Sequence, residues 1–264
     1  MYDLHSHILP NMDDGAKTME MSLVMLQMAK DNGTEGIVAT PHVIEGEWLP
    51  AWDKILTECE TLRTAAQQAG NNIPIFPGGE VAMYREILDL LTGPGAYCIN
   101  SGRYLLVELP ATHIPSFAEE FFFTLQIRGI TPILAHPERH PELAKKPEIL
   151  AQWINTGILA QMNSTSIIGL MGERVMATAE LLLTNQMVHV IGSDAHSTRS
   201  RNTNLTSAVA KITKLIGAER AHQLLVVNPD QIIHSRDVER VEISDLEAIK
   251  RKSGMMSWLS KLWA

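Results

Sequence analysis

The feature that most restricts the fold is an alternation of short apolar runs with helix-patterned segments along one unbroken chain. After a first strand at the N-terminus, apolar runs recur at residues 35–40, 73–76, 103–108, 130–135, 158–162 and 188–191. Residues 19–28, 52–69, 84–91, 117–127, 149–155 and 171–184 read as helices, and from about residue 204 onward the chain reads as helices with loops between. In 52–69, Ile55, Leu56, Cys59, Leu62, Ala66 and Ala69 share one stripe, and Gly70 closes it. Alternation of this kind implies a parallel sheet with crossover helices. The 264 residues suit one large barrel as well as two small domains, but no linker, low-complexity stretch or repeat divides them. The expected fold is a single α/β unit, a (β/α) barrel of seven strands, with an open doubly wound sheet as the alternative. Phe121, Phe122 and Phe123 are consecutive, so at least one of them should meet solvent or a partner.

Polar residues gather where these strands end. His5 and His7 stand two apart at the end of the first strand, a spacing that points both imidazoles the same way. His42 follows the second strand, Glu80 the third, Glu108 ends the fourth, His136 follows the fifth, and Asp194 and His196 follow the seventh. In parallel barrels the C-terminal strand ends lie together on the face where active sites are built. Five of the ten histidines fall at these points. A mixed nitrogen and oxygen set this large exceeds what one ion takes and suits two or three, with carboxylates such as Glu80 bridging. No cysteine occupies a ligand position, so manganese, iron or zinc all fit. The run from His136 to His140 is not the zinc-protease helix: its order differs, and Pro137 directly after a strand disfavours a helix.

Composition narrows the function. Lys+Arg of 22 against Asp+Glu of 30 leaves a net charge of −8, which argues against nucleic acid as a partner. No apolar run is long enough to span a membrane, and the N-terminus opens into a strand without a signal-peptide pattern. Two cysteines make no disulfide framework, so the cytoplasm is the expected compartment. A cysteine phosphatase loop needs Arg six positions after its Cys; those positions hold Ala65 and Tyr104. Neither a Gly-x-Ser-x-Gly elbow nor a Walker A loop is present.

His5-x-His7, Thr40-Pro-His42, Gly79-Glu80, Ala135-His136-Pro-Glu-Arg139 and Ser193-Asp194-Ala-His196 resemble the motifs of the polymerase and histidinol phosphatase (PHP) superfamily. With Ile8-Leu-Pro after His7, then Asp13-Asp14-Gly15, and with His140 after Arg139, the chain more narrowly resembles the bacterial protein-tyrosine phosphatases of capsule and exopolysaccharide operons. The resemblance covers residues 1–231, leaving 232–264 as a C-terminal helical tail without a family motif. It implies a distorted seven-stranded barrel, a three-metal site usually run on manganese, and hydrolysis of phosphotyrosine. The substrate it implies is the tail of a membrane-associated tyrosine kinase of polysaccharide assembly. Carried over, the metal ligands would be His5, His7, Asp14, His42, Glu80, Glu108, His136, Asp194 and His196, with Asp14 preferred to Asp13 by resemblance alone. Arg139 matches the phosphate-binding arginine; a second fits Arg201 better than Arg199, which stays as the alternative.

Two other functions compete. One is another metal-dependent hydrolase on the same frame, such as a histidinol-phosphate phosphatase or an amidohydrolase; no Lys sits at a strand end to serve the latter. The other is a metal-stabilised scaffold that only binds its kinase, which would need neither an open metal site nor Arg139. An oligomer is compatible with the sequence. In the tail, Met255, Met256, Trp258, Leu259, Leu262 and Trp263 form an apolar cluster beside Lys250, Arg251, Lys252 and Lys261. This reads as a last helix packed on the barrel, or else as an interfacial or docking helix.

Overall fold

The computed structural model describes residues 1–244 and residue 249, and among these nine short strands are present. They are β1 (Tyr2–Ser6), β2 (Gly36–Ala39), β3 (His42–Val43), β4 (Ile75–Pro77), β5 (Glu80–Ala82), β6 (Tyr104–Glu108), β7 (Thr131–Ala135), β8 (Leu159–Asn163) and β9 (Val190–Gly192). Every ladder is parallel, in the orders β1-β2-β4 and β3-β5-β6-β7-β8-β9. The two sheets are parts of one distorted barrel. At one seam β1 meets β9, where Asp194 N donates to His5 O (2.8 Å) and His7 N to Ala195 O (2.8 Å). At the other, β2 runs into β3 and β4 into β5, so the nine segments make seven staves.

The two breaks have a local cause. Pro41 has no N–H to give a ladder, and it separates β2 from β3. Gly78 and Gly79 separate β4 from β5. Glu80 N then donates to Pro41 O (3.0 Å), and pairing resumes with His42 opposite Glu80. Interrupted staves thus bring two polar side chains side by side at the barrel's mouth.

The helices α1 (Met19–Asp31), α2 (Trp52–Gln68), α3 (Ala118–Ile127), α4 (Pro141–Lys145), α5 (Pro147–Asn155), α6 (Ser164–Ile167), α7 (Glu173–Thr184), α8 (Thr206–Ile216), α9 (Ala218–His222) and α10 (Asn228–Ile233) connect or follow the staves. The larger core lies between helices and sheet, joining Leu26, Leu62 and Phe121 to the outward strand residues Leu105, Val107 and Leu134. A second core fills the barrel: Leu4, Val38, Tyr104, Leu106, Ile133, Leu159 and Val190 point inward. Ile232, Ile233 and Val238 plug its base, so these residues, beyond residue 231, are packed into the barrel's interior.

Two local expectations are revised by the structure. Residues 84–91 form only a 3₁₀ turn, Glu86–Asp89, with Ile87 and Leu91 buried and Tyr84 and Leu88 packed on the core from partly buried positions. Pro137 does not prevent helicity altogether: it opens a single 3₁₀ turn, Pro137–Arg139, where its missing N–H is no loss. Phe121 and Phe122 are buried, whereas Phe123 is 62% exposed, as three consecutive aromatics require. No helix of the described residues is long and apolar enough to cross a membrane. The apolar cluster expected at 255–263, with its flanking basic residues, lies outside the described residues.

Candidate metal centre

At the C-terminal ends of the staves the inward positions change from apolar to polar. His5 stands near the end of β1 and His7 just follows that strand, β3 opens with His42, β5 opens with Glu80, and β6 closes with Glu108. His136 follows β7, and Asp194 and His196 follow β9. His136 (φ 31°) and Asp194 (φ 52°) both have left-handed backbone, which non-glycine residues adopt at a cost and which recurs at functional sites.

All nine sequence-predicted ligand residues are brought together. Glu80 sits at the centre. Its Oε2 lies 3.2 Å from His5 Nε2, 3.3 Å from His7 Nε2 and 3.1 Å from His42 Nδ1, and its Oε1 lies 3.0 Å from His136 Nε2. Asp194 Oδ1 is 3.6 Å from His5 Nε2 and 3.5 Å from His7 Nε2. Glu108 approaches His136 (3.5 Å), and Asp14 approaches His196 Nε2 (3.2 Å) and His42 Nε2 (3.6 Å). Three overlapping groups emerge: His5, His7 and Glu80; His42, Glu80 and Glu108; and His7, Asp14, His42 and His196.

The donor set fits divalent cations. His5 Nδ1 is 3.0 Å from Gln161 Oε1, His7 Nδ1 2.7 Å from Asp13 Oδ2, and His196 Nδ1 2.9 Å from Asp194 O. Each of those oxygens can only accept, so each imidazole donates from Nδ1, and in the neutral ring its Nε2 is left free to ligate. His5 Nε2 and His7 Nε2 face each other at 3.2 Å. Burial acts to lower the His7 pKa, but its contacts with Asp13, Asp194 and Glu80 outweigh it and raise it, so in this pair a proton takes the place a cation would hold. Glu80 Oε2 is likewise buried without a hydrogen bond. Ligand atoms about 2.1 Å from a tetrahedral ion stand about 3.4 Å apart, which is the spacing found here. Fixing a ligand's other ring nitrogen on a carboxylate or carbonyl is the usual support for such an imidazole.

Adjacent Asp13 and Asp14 have different tasks. Asp13 is buried and accepts from His7 Nδ1, Gly15 N (2.8 Å) and His42 N (2.9 Å), while Asp14 reaches the cluster. Burial acts to raise the Asp13 pKa, but His7 and these donors outweigh it and hold the carboxyl well below the usual range. Gly15 permits this fold-back: a Cβ there would stand 2.2 Å from His7 O. Burial, and then the Glu80 charge, push Glu108 up.

The two expected arginines also converge. Arg139 Nη1 donates to Asp194 Oδ2 (2.9 Å) and Arg201 Nη2 to Asp194 Oδ1 (2.8 Å). His196 N and Ser197 N donate to Arg201 O (3.0 and 2.8 Å), folding that loop back so that Arg201 reaches the mouth. Arg199 is exposed. Beside Arg139 opens a cavity of about 90 Å³ lined by Glu108, Leu109, Ala111, His136, Arg139 and His140. Trp48 stacks on His42, with ring centroids 5.4 Å apart. Sequence reasoning missed Asp13, Gln161 and Asn163 as supporting residues; the available signal was two buried amides at alternate positions of an apolar strand.

The family described as capsular polysaccharide synthesis, CpsB/CapC, matches residues 1–234. The chain is 32% identical over 247 residues to the tyrosine-protein phosphatase YwqE of Bacillus subtilis, covering 91% of this chain and 94% of the relative. It is 30% identical over 238 residues to the tyrosine-protein phosphatase CpsB of Streptococcus pneumoniae, covering 88% and 98%. A solved structure from work on these two proteins, described there as unique metal-dependent tyrosine phosphatases, superposes with a TM-score of 0.87 at 30% identity, covering 92% and 98%. Fold and site together define a metal-dependent hydrolase barrel of the PHP type. The chain belongs to the CpsB/CapC family.

Proposed function

We propose that this protein is a metal-dependent protein-tyrosine phosphatase acting on a bacterial tyrosine kinase that controls capsular or exopolysaccharide synthesis. The observation that carries the reading is the set of histidine ring nitrogens converging on the buried Glu80 carboxylate at the barrel's mouth. His5, His7, Asp14, His42, Glu80, Glu108, His136, Asp194 and His196 would hold two to three divalent ions, manganese first, with iron or zinc also suited to the donors. Such ions supply charge neutralisation at the phosphoryl oxygens and a water acidified towards neutrality. Arg139 and Arg201 bind and orient the phosphoryl group through paired N–H donors. The catalytic unit is the barrel, residues 1–231 by motif, and the buried, unbridged Cys59 and Cys98 suit the cytoplasm.

The leaving group favours tyrosine. A phenol has a pKa near ~10 and departs with little protonation, whereas an alkoxide needs an acid. Glu138, the carboxylate most available for that duty by sequence, is buried and accepts from Asn163 N (3.0 Å). The shallow cavity beside Arg139 suits a phosphoryl group borne on an exposed tail. Comparing kcat/KM of one metal-loaded preparation on phosphotyrosine peptide, phosphoserine peptide and histidinol phosphate is the test. Phosphotyrosine is expected to lead both by a wide margin; a preference for histidinol phosphate overturns the assignment.

A further inference from the structure

One stave supplies no candidate ligand. The strand β8 is buried throughout, and its inward positions are Leu159 in the apolar core, then Gln161 and Asn163 at the mouth. Burying two amides is costly unless each polar atom is partnered. Here the partners are the metal centre's own residues. Gln161 Oε1 takes His5 Nδ1 (3.0 Å) and His136 N (3.3 Å), and Gln161 Nε2 donates to Asn163 Oδ1 (2.9 Å). Asn163 Nδ2 donates to Asp194 Oδ2 (2.7 Å), and Asn163 N donates to Glu138 Oε1 (3.0 Å).

We propose that Gln161 and Asn163 are positioning residues, forming a two-amide relay through which the Asp194 carboxylate fixes the tautomer of His5 and the placement of His136. The inference rests on the reading of this cluster as a metal centre. Its logic is one of forced polarity. An ionised carboxylate only accepts, so Asn163 must turn Nδ2 towards Asp194 and Oδ1 towards Gln161. Gln161 must then give Nε2 to Asn163, which leaves Oε1 for His5. His5 must answer with Nδ1–H, so in the neutral ring Nε2 is the free nitrogen, and it is aimed at Glu80. Each amide has a single orientation that satisfies both neighbours, so reversing either one leaves like atoms in contact.

Three further observations support the relay. His136 holds a left-handed backbone, and the Gln161 acceptor anchors its N–H there. The lane between β1 and β8 is kept open by Gly192, where a Cβ would stand 2.7 Å from His5 Cβ and 2.9 Å from Gln161 Nε2. The two strand-one histidines are also anchored differently: His7 on the Asp13 carboxylate, His5 on a neutral amide. A carboxylate partner raises the basicity of an imidazole more than an amide does, so the relay orients His5 without adding negative charge to the centre.

Gln161→Met removes the acceptor at nearly constant volume, and Asn163→Asp replaces the donor to Asp194 with a second carboxylate. Full-length parent and variants are compared in two measurements. In the metal-free proteins, long-range ¹H–¹⁵N correlation of labelled histidine should show His5 as the Nδ1–H tautomer in the parent and in Asn163→Asp, whose carboxylate still accepts from Gln161 Nε2, and a mixed or Nε2–H form in Gln161→Met. Calorimetric titration with Mn²⁺ should show at least one site weakened by about 10–100-fold in each variant. An unchanged His5 tautomer in Gln161→Met, with Mn²⁺ affinity within about threefold of the parent, overturns the relay. If the parent takes up no Mn²⁺, the metal-centre reading fails, while the tautomer still decides the relay. Should Asn163→Asp not fold, Gln161→Met decides it alone.

Discussion

The mouth and the base of the barrel are built on the same strands and separated by two residues of chain. Leu106 faces the apolar plug and Glu108 the ligand cluster; Leu159 faces the plug and Gln161 holds His5. Two residues along a strand is about 7 Å. Over that step the interior passes from close-packed apolar side chains to buried imidazoles and carboxylates that need protons or cations between them. The base carries stability so that the mouth can carry chemistry. Substitutions in the two layers should therefore separate in what they change.

The largest effect is expected at the mouth. His136→Ala or Asp194→Ala should lower kcat/KM on phosphotyrosine peptide by about a thousandfold or more, with circular dichroism still reporting a folded barrel. Chelation should abolish activity in the parent, and elemental analysis of active enzyme should find two to three equivalents of metal; one or fewer would reject the multinuclear centre. Arg139→Ala comes next. It should keep its metals and lose about 2.7–4 kcal/mol of transition-state stabilisation, the scale for a charged donor in a preorganised site. A variant that instead loses its metals would move Arg139 from phosphate to the structure of the centre, through its contact with Asp194.

The mouth was legible in the sequence because its residues sit where an apolar run stops, and a run's end is visible without coordinates. Six of the seven staves announce themselves in this way. The seventh, β8, does not, since Gln161 and Asn163 lie within a buried strand and look like tolerated polar residues. Adjacent Asp13 and Asp14 are chemically identical until the turn at Gly15 sets which one faces inward. Two strands of two and three residues, β3 and β5, are too short for periodicity to declare; only pairing across the Pro41 and Gly78 breaks defines them. The base was legible as apolar strands, but its plug was not, because Ile232 and Ile233 belong to a helix with no pattern linking it to the barrel.

Below the ligands, Leu106→Ala should cost about 2–5 kcal/mol of unfolding free energy, as buried large-to-small changes do. Chemical denaturation measures it. At a temperature where the variant stays folded, its metal content and KM should match the parent. A variant that loses metal in proportion to stability would show that the two layers are coupled rather than divided.

The smallest effect is a pH dependence confined to the base. His189 precedes β9 and is buried; Ala160 N donates to its Nδ1 (3.1 Å), and Asn228 Nδ2 donates to its carbonyl (2.7 Å). Burial, with the Arg220 charge as a second cause, pushes its pKa down to about 3. The unfolded chain's histidine titrates near ~6.5. Between these values the unfolded state binds a proton that the folded state refuses, so stability rises with pH across that window. His189 therefore contributes its full share above pH ~6.5 and loses it as pH falls towards 3, at about 1.4 kcal/mol per unit at the steepest. His189→Asn keeps an acceptor for Ala160 N and cannot titrate. The parent's stability relative to this variant, both metal-free, should fall by about 2 kcal/mol from pH 7 to pH 5. A difference constant with pH would mean that the imidazole is protonated in the fold, and that the base, like the mouth, holds buried charge.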